Sequence, residues 1–571
     1  MIKLPFFQKG DSKGLSFFST DNKLIENAFF VYIALIFFFL IILFLRLFQL
    51  TIVKGNYYRN LSEQNRIKEI NIEAPRGEII DRKGFIIAQN LSPDINQKIN
   101  PGLLNSNQKI ISKRIYQSPE AIAPFIGYRQ IADVNDLKND RCQYRLQLGD
   151  RTGKKGIEKL FDCQLRGQSG KKLVEINAQG KYLKTVGIIP PTPGNKIQLA
   201  LDLELQKKSY ELVKKVKAAI IVTNPKTGEI LVSVSSPSFS SQDFEDNLSN
   251  NIQSYLTDKT NPLFNRVTEA TYPPGSIFKL VMATAGLEEK AIDEKTEIED
   301  RGSIKAGAAT FGNWYFLQYG KVEGMVDVVK AIRRSNDIFF YKVGERTGVD
   351  KIKKWADIFG LGKRTQIGLD EAEGIIPSTF WKKEILKENW YLGDTYNLSI
   401  GQGYVGTTPL QIALVTDVFA NGGYLCKPQL LKVNLSNDKF ILNEHSESKD
   451  CKKLPISQKT IDLIREGMKQ ACSTGGTGWP LFEFSIRTDL VTNSGPTKQG
   501  PSLKKIQVAC KTGTAESHAA SGMPHAWITV FAPYENPEIA LTVLVEEGGQ
   551  GSDVAGPIAK EILKAYFERS Q

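Results

Sequence analysis

Residues 28–45 are eighteen consecutive residues without a charge, mostly Phe, Ile and Leu. A helix needs about 20 residues to cross the hydrocarbon core of a bilayer. A secretory signal carries a shorter apolar stretch of about 7–15 residues and a small-residue cleavage site after it. Here Arg46 interrupts the run, residues 47–53 continue it weakly, and no Ala-x-Ala-like site follows. The pattern predicts an uncleaved transmembrane anchor over 28–50. Lys3, Lys9, Lys13 and Lys23 precede it, so the positive-inside tendency makes residues 1–27 a cytoplasmic tail. Lys54, Arg59, Arg66 and Lys68 follow it and weaken the asymmetry, but long domains translocate largely regardless of charge. The sequence therefore predicts a single-pass membrane protein with its body outside the cytoplasm.

The chain is 41% hydrophobic and 24% charged. That balance excludes a mainly disordered chain, a collagen-like repeat and a multi-span membrane protein. Lys+Arg (74) exceeds Asp+Glu (62) by 12, a mild bias over 571 residues. It suits an anionic membrane or envelope polymer as well as a nucleic acid, and it selects no partner. Only His445, His518 and His525 are present, which leaves few routes to His-based catalysis or a metal site. Cys142, Cys163, Cys426, Cys451, Cys472 and Cys510 all follow the anchor. An even count permits disulfides, in any of fifteen pairings. For Cys510, inside an apolar strand, a free buried thiol is at least as good an expectation.

After the anchor, 54–70 reads as a polar helix and 85–88 as a strand. Residues 90–115 are polar and Asn-rich and read as loops. A short helix is expected at 157–161 and strands at 172–177 and 196–201, with a Pro-rich boundary at 190–194. Two β-branched runs, 218–224 and 229–235, flank Pro225-Lys226-Thr227-Gly228 as a hairpin. Helical patterns follow at 276–289, 325–346, 350–359 and 407–420. Strand-like runs lie at 507–510, 526–532 and 539–546, and an amphipathic helix at 555–568. Helices around a late antiparallel sheet predict an α+β fold.

Three short motifs in this region carry chemistry. Ser276-Ile277-Phe278-Lys279 follows a Tyr-Pro-Pro-Gly turn and opens an apolar helix. The helix N-terminus offers unpaired N–H groups, and Lys279 lies one turn after Ser276 on the same face. A Ser becomes a good nucleophile when a base takes its proton, and a Lys of lowered pKa can do so. Ser335-Asn336-Asp337 could share a proton with that pair and hold a substrate amide. Lys511-Thr512-Gly513-Thr514 lies on a strand, where Lys supplies charge, Thr supplies hydroxyls and Gly allows close backbone approach. Such an edge can pair with a peptide and neutralise its C-terminal carboxylate. Taken singly, each motif also fits a plainer role: a helix-start Ser, a helix cap, a surface turn. S-x-x-K, S-x-[N/D] and K-T-G in this order, 59 and 176 residues apart, are the signature of penicillin-recognising serine enzymes.

The chain resembles a class B penicillin-binding protein over nearly its whole length. Arg76-Gly77-Glu78-Ile79-Ile80-Asp81-Arg82 resembles the family's R-G-x-I-x-D-R at the base of its pedestal, and Gly156-Ile157-Glu158 with Leu165-Arg166-Gly167 its G-x-E…L-x-G element. The segments Trp390-Tyr391-Leu392-Gly393-Asp394-Thr395 and Ser399-Ile400-Gly401-Gln402-Gly403 resemble a block beside the active site, extended by Thr408-Pro409-Leu410-Gln411 and Ala420-Asn421-Gly422-Gly423. The resemblance implies a transmembrane helix, a β-rich pedestal over 51–195 and a transpeptidase domain over 196–571. It implies D,D-transpeptidation of peptidoglycan stem peptides, with β-lactams trapping the nucleophile and no cofactor or metal. Ser276 would be the nucleophile, Lys279 the acylation base and Ser335 the proton relay. Asp337, where many relatives have Asn, would orient Lys279 and the donor amide. Lys511, Thr512 and Thr514 would bind the donor carboxylate, with Gly513, Trp390, Gly401 and Gln402 also at the substrate. The N–H groups of Ser276 and Thr514 would form the oxyanion hole, such donors being worth roughly 3–4 kcal/mol each.

Pro273-Pro274-Gly275-Ser276 and His525-Ala526-Trp527 resemble the elongation type rather than the division type. That implies a place in the inner membrane beside a RodA-like glycosyltransferase of the SEDS type, and no nucleic acid partner. Only about 40 residues separate the Asp81-Arg82 strand from Gly127-Tyr128, where relatives are usually longer. The shortened head puts a contact with an MreC-like scaffold in doubt. Some relatives carry a Cys/His/Asp cluster before S-x-[N/D], but residues 301–334 contain no Cys or His, so no metal is expected. The competing readings are a carboxypeptidase with water as acceptor, an anchored β-lactamase, a β-lactam sensor or inert module, and a bifunctional enzyme. The pedestal and the Trp390 block weigh against the first, and nothing marks a water-activating base for the second. A sensor would need an effector region larger than residues 1–27, and 54–195 is too short for a second catalytic domain.

Overall fold

The computed structural model describes residues 22–91, 109–177, 179, 181–432, 450–488, 502–517 and 521–569. The apolar run forms a helix, Asn22–Phe48, that continues as a π-helical turn, Gln49–Val53. The 27-residue stretch Asn27–Val53 is long and apolar enough to cross a membrane, and none of it is buried inside the protein. Arg46 does not break the helix; its guanidinium donates to Gln49 Oε1 at 2.7 Å.

The polar helix after it, Gly55–Arg66, stops short of the 54–70 expected from sequence. Residues 67–72 instead form a strand, Ile67–Ile72, because Ile70 and Ile72 alternate with polar residues and bury one face. The 90–115 region is not all loop either. Lys109–Ile110 is a short strand, and Arg114–Tyr116 pairs with Ile86–Asn90; residues 92–108 lie outside the described residues. Of the predicted 196–201 strand, Ile197–Gln198 pairs as a short strand and Leu199 forms a single bridge with Leu431.

By its contacts the chain divides into two compact units. One holds the described residues up to Asn71, Lys109 and the described residues of 171–189. The other holds the described residues of 72–95, 110–170 and those from Pro190 onward. The R-G-x-I-x-D-R and G-x-E segments meet in this second unit. Arg76 Nε donates to Glu158 Oε2 at 2.5 Å, and Arg114 Nε to Glu158 Oε1 at 2.7 Å. Burial alone would raise the Glu158 pKa, but Arg114 and Arg76 outweigh it and hold the carboxyl below its usual range. Arg129 bridges Glu73 and Glu245 beside this pair, at 2.9 and 2.7 Å.

The largest sheet among the described residues is built from β1 (Ala218–Thr223), β2 (Ile230–Ser236), β3 (Ala509–Ala515), β4 (His525–Ala532) and β5 (Ile539–Val545). All neighbours are antiparallel, in the order β2-β1-β5-β4-β3, so β3 is an edge. The helices that matter for the site are α1 (Lys279–Glu288), α2 (Val328–Arg334), α3 (Asp337–Thr347), α4 (Pro409–Ala420) and α5 (Gly556–Arg569). The sheet is apolar on both faces. Ala219 and Ile221 join the cluster of Phe278, Leu280 and Phe339, whereas Ala218, Ile220 and Val222 join that of Ala559, Ile562 and Leu563. Helices therefore cover both sides, and burying each large aliphatic side chain stabilises the fold by about 1.5–3 kcal/mol.

Two expectations are corrected here. The pattern at 325–346 is not one helix: Gly324–Val326 is a strand, and the helix breaks between α2 and α3. Ser335 sits in the left-handed region (φ 54°), and Asn336 caps α3 by accepting from Phe339 N at 2.8 Å. Cys510 is not a free thiol. All six cysteines are bridged, as Cys142–Cys163, Cys426–Cys451 and Cys472–Cys510. Helix Gln458–Ala471 leads into Cys472, which lies in the same apolar cluster as Cys510 and so within reach of it.

On α4, Asp417 is buried against β1. Thr223 donates to its Oδ1 at 2.7 Å, and its Oδ2 has no partner among the described residues. Burial pushes its pKa up to about 7, opposed only by the Thr223 bond. In the unfolded chain the group ionises near pH 4, so folding is increasingly penalised as pH rises from there to about 7, by about 4 kcal/mol in full. Asp417→Asn removes that penalty. Thermal melts should show a gain over wild type that is larger near pH 8.5 than near pH 5.

Candidate active site

Ser276 lies in a single 3₁₀ turn, Gly275–Ile277, directly before α1. The turn is held from two sides. Gly275 N donates to Gly401 O at 3.0 Å, and on the other side the backbone of β3 presses close. Gly275 has φ +54°, and a Cβ there would stand 2.8 Å from Thr514 O. Ile277 and Phe278 are buried and fix the turn to the core. Ser276 itself is half-buried and faces an open cleft.

The three-residue spacing brings Lys279 beneath Ser276, fully buried as the first residue of α1. Its Nζ donates to Asp337 Oδ1 at 2.6 Å, Ser335 O at 2.8 Å and Ser335 Oγ at 3.4 Å. The helix break makes this possible, since it turns both the carbonyl and the hydroxyl of Ser335 toward Lys279. Asp337 Oδ2 accepts from Trp314 N at 2.9 Å, and Asp337 N donates to Asn313 Oδ1 at 3.1 Å. Asp300 ties this loop together by accepting from the side-chain amides of Asn313 (2.6 Å) and Asn336 (2.8 Å).

Lys511 comes from β3 and is also fully buried. Its Nζ donates to Ser335 Oγ at 2.9 Å and Thr512 O at 2.9 Å. The Ser335 hydroxyl thus sits between two lysines. Burial holds Lys279 below the ordinary lysine pKa, with Asp337 acting in the opposite direction. Burial and the neighbouring Lys279 charge push Lys511 well below it, again against Asp337.

Above the lysines the cleft has a volume of about 690 Å³ and is lined by Ser276, Ser335, Asp337, Thr512, Gly513 and Thr514 among others. Thr512 Oγ1 donates to Thr477 Oγ1 at 2.7 Å, and Thr514 Oγ1 to Gln550 Oε1 at 3.0 Å. Gln402 lines the cleft and donates to Thr514 O at 3.3 Å. Gly401 supports the Ser276 turn from beneath through its carbonyl. Trp390 does not line this cleft; its indole N–H donates to Thr395 Oγ1 at 2.8 Å, and it lines a neighbouring cavity. The sequence reading missed Thr477, Gln550, Trp314 and Asn313. The run Gly475-Gly476-Thr477-Gly478 was a usable signal for Thr477, since glycines around one Thr mark close backbone approach. Nothing local marks the other three.

Residues 218–564 match the penicillin binding protein transpeptidase domain, and residues 97–199 the penicillin-binding protein dimerisation domain. The chain belongs to the penicillin-binding proteins. This penicillin-binding protein is 30% identical to the peptidoglycan D,D-transpeptidase MrdA of Escherichia coli K12, over 94% of each chain. It is similar to PBP2 from a complex with MreC of Helicobacter pylori, with 29% identity and a TM-score of 0.69, covering 88% of this chain and 99% of that one. It is also similar to a chain from a peptidoglycan synthase complex that coordinates polymerization and crosslinking, with 26% identity and a TM-score of 0.69, covering 95% and 98%.

The clamped turn gives a direct prediction. In Gly275→Ala the new Cβ meets Thr514 O, and either the Ser276 turn or β3 must shift. A misplacement near 1 Å at a reacting group costs about a hundredfold in rate. Acylation of this variant by benzylpenicillin, followed by stopped-flow or gel fluorescence, should fall by about that factor while its circular dichroism is unchanged.

Proposed function

We propose that Ser276 is the nucleophile of this peptidoglycan D,D-transpeptidase, which crosslinks stem peptides in cell-wall elongation through an acyl-enzyme that β-lactams also form. The observation that carries the assignment is the continuous path Lys279–Ser335–Lys511 beneath an open cleft that Ser276 lines. Two buried amines share one hydroxyl and one carboxylate, an arrangement that favours a neutral amine at neutral pH. Neutral Lys279 accepts the Ser276 proton as Oγ attacks the donor carbonyl. The Ser335 hydroxyl passes a proton to the departing amine. Asp337 holds Lys279 in place, and Lys511 with Thr512 and Thr514 receives the donor's carboxylate along the edge of β3. The N–H groups of Ser276 and Thr514 stabilise the oxyanion. An acceptor amine then displaces Ser276 and leaves an amide crosslink.

Single-pass insertion with the catalytic unit outside the cytoplasm is the reading the anchor helix supports. Three disulfides add to it, since they persist in oxidising compartments. Residues 51–195 serve as the pedestal and 196–571 as the transpeptidase domain. A membrane glycosyltransferase of RodA type is the proposed partner, in line with the similarity to a synthase complex. Likeness to a PBP2 taken from an MreC complex supports a scaffold contact in spite of the short 82–127 connection.

Two measurements check this reading. Intact mass of the protein after benzylpenicillin should show a stable adduct on wild type and none on Ser276→Ala. Loss of the drug without an adduct would indicate a β-lactamase, and an unmodified protein beside intact drug an inert module. The second is the pH profile of acylation. Lys279 works as a base only when neutral, so the rate falls as pH drops through its pKa. Asp337 raises that pKa, so Asp337→Asn should move the acidic limb to lower pH.

A further inference from the structure

A second cavity of about 580 Å³ adjoins the Ser276 cleft. Ile400, Gln402 and Glu516 line both, so the two cavities meet at these residues. Phe311, Trp390 and Tyr404 give the second cavity aromatic walls, and Phe311 is braced edge-on against Tyr341 and Tyr396. Tyr341, on α3 one turn after Asp337, also lines it. That side chain is only 3% exposed, yet its hydroxyl has no hydrogen-bond partner among the described residues. Burial raises its pKa, and the Asp337 and Glu516 carboxylates raise it further, so the phenol lies within the field of both.

Asp337, Asp394, Glu516 and Asp553 line the two cavities; Lys279 and Lys511 lie buried beneath the Ser276 cleft, and no lysine or arginine among the described residues lines the second cavity. Asp337 is paired with Lys279 and Asp394 with Lys382. Glu516 is exposed, at the junction of the two cavities, and has no ion-pair partner among the described residues. Transpeptidation needs a second peptide, whose primary amine is an ammonium at neutral pH.

We propose that the second cavity is the acceptor subsite, with Glu516 drawing in the acceptor ammonium and the Tyr341 hydroxyl fixing the peptide that carries it. This rests on the Ser276 transpeptidase reading. The acceptor stem packs against Phe311 and Trp390, and its ammonium passes Glu516 toward the acylated Ser276. One proton leaves the ammonium to solvent water. The neutral amine attacks the ester carbon, a C–N bond forms, the C–O bond to Ser276 breaks, and the amine's second proton returns to Ser276 Oγ through Lys279. Glu516 and Tyr341 are positioning residues and take no part in acylation.

The two half-reactions separate this proposal from the one beneath it. Full-length wild type, Glu516→Gln and Tyr341→Phe are compared in detergent. Benzylpenicillin reports acylation. A thioester donor is then offered with either a stem peptide bearing a side-chain ammonium or hydroxylamine, which is uncharged at neutral pH. The expected result is equal penicillin acylation in all three proteins. Transfer to the cationic peptide falls by about tenfold in Glu516→Gln with hydroxylamine transfer unchanged. In Tyr341→Phe the peptide's KM rises by about fivefold with hydroxylamine transfer again unchanged. Wild-type transfer to the peptide in both variants, or an equal loss with hydroxylamine, overturns the acceptor subsite. Failure of wild type to be acylated by penicillin overturns the transpeptidase reading instead.

Discussion

Two buried amines competing for one hydroxyl and one carboxylate set the terms for the rest of this molecule. Lys279 and Lys511 are both removed from water, and Ser335 Oγ accepts from each. Removing an ammonium from water costs several kcal/mol unless it is paired, and only Asp337 offers a full negative charge here. In the proposed mechanism one amine is neutral and serves the cleft as a base without a histidine. The scarcity of histidine in the chain is no obstacle to acyl transfer.

Holding two lysines in that position is what the fold accomplishes. Lys279 comes from the first turn of a helix, Ser335 and Asp337 from a break between two helices, and Lys511 from the edge strand of a sheet. None of these can drift independently. The sheet is covered on both faces, the Ser276 turn is clamped between Gly401 and β3, and Asp300 ties the loop around Asp337. The Cys472–Cys510 bridge fastens β3 one residue before Lys511. Thr477 follows on the loop after Cys472 and meets Thr512.

What was legible in the sequence was local. The i, i+3 step from Ser276 to Lys279 is a property of one helical turn, and Lys511-Thr512-Gly513-Thr514 on one strand is equally compact. The sheet and most helices followed from periodicity for the same reason. The break at Ser335 was hidden, because the apolar spacing of 325–346 runs on through it, and what marks the break is the left-handed Ser335 followed by Asn336, whose side chain Asp300 holds from elsewhere. Asn313, Trp314 and Gln550 reach the site only through tertiary contacts. Cysteine pairing was equally out of reach, since fifteen pairings fit the count. The Arg76 and Glu158 segments stood out as separate blocks, yet only the fold shows that they are partners in one buried pair.

The central claim is that crowding keeps at least one of the two site lysines neutral at physiological pH. It is tested most directly by carbon NMR of protein labelled at lysine Cε, titrated with pH and assigned with the uncharged variants Lys279→Met and Lys511→Met. The account predicts that at least one of the two resonances titrates below the range of the surface lysines, and that removing either charge raises the pKa of the survivor. Two lysines that titrate together with the surface set would contradict it.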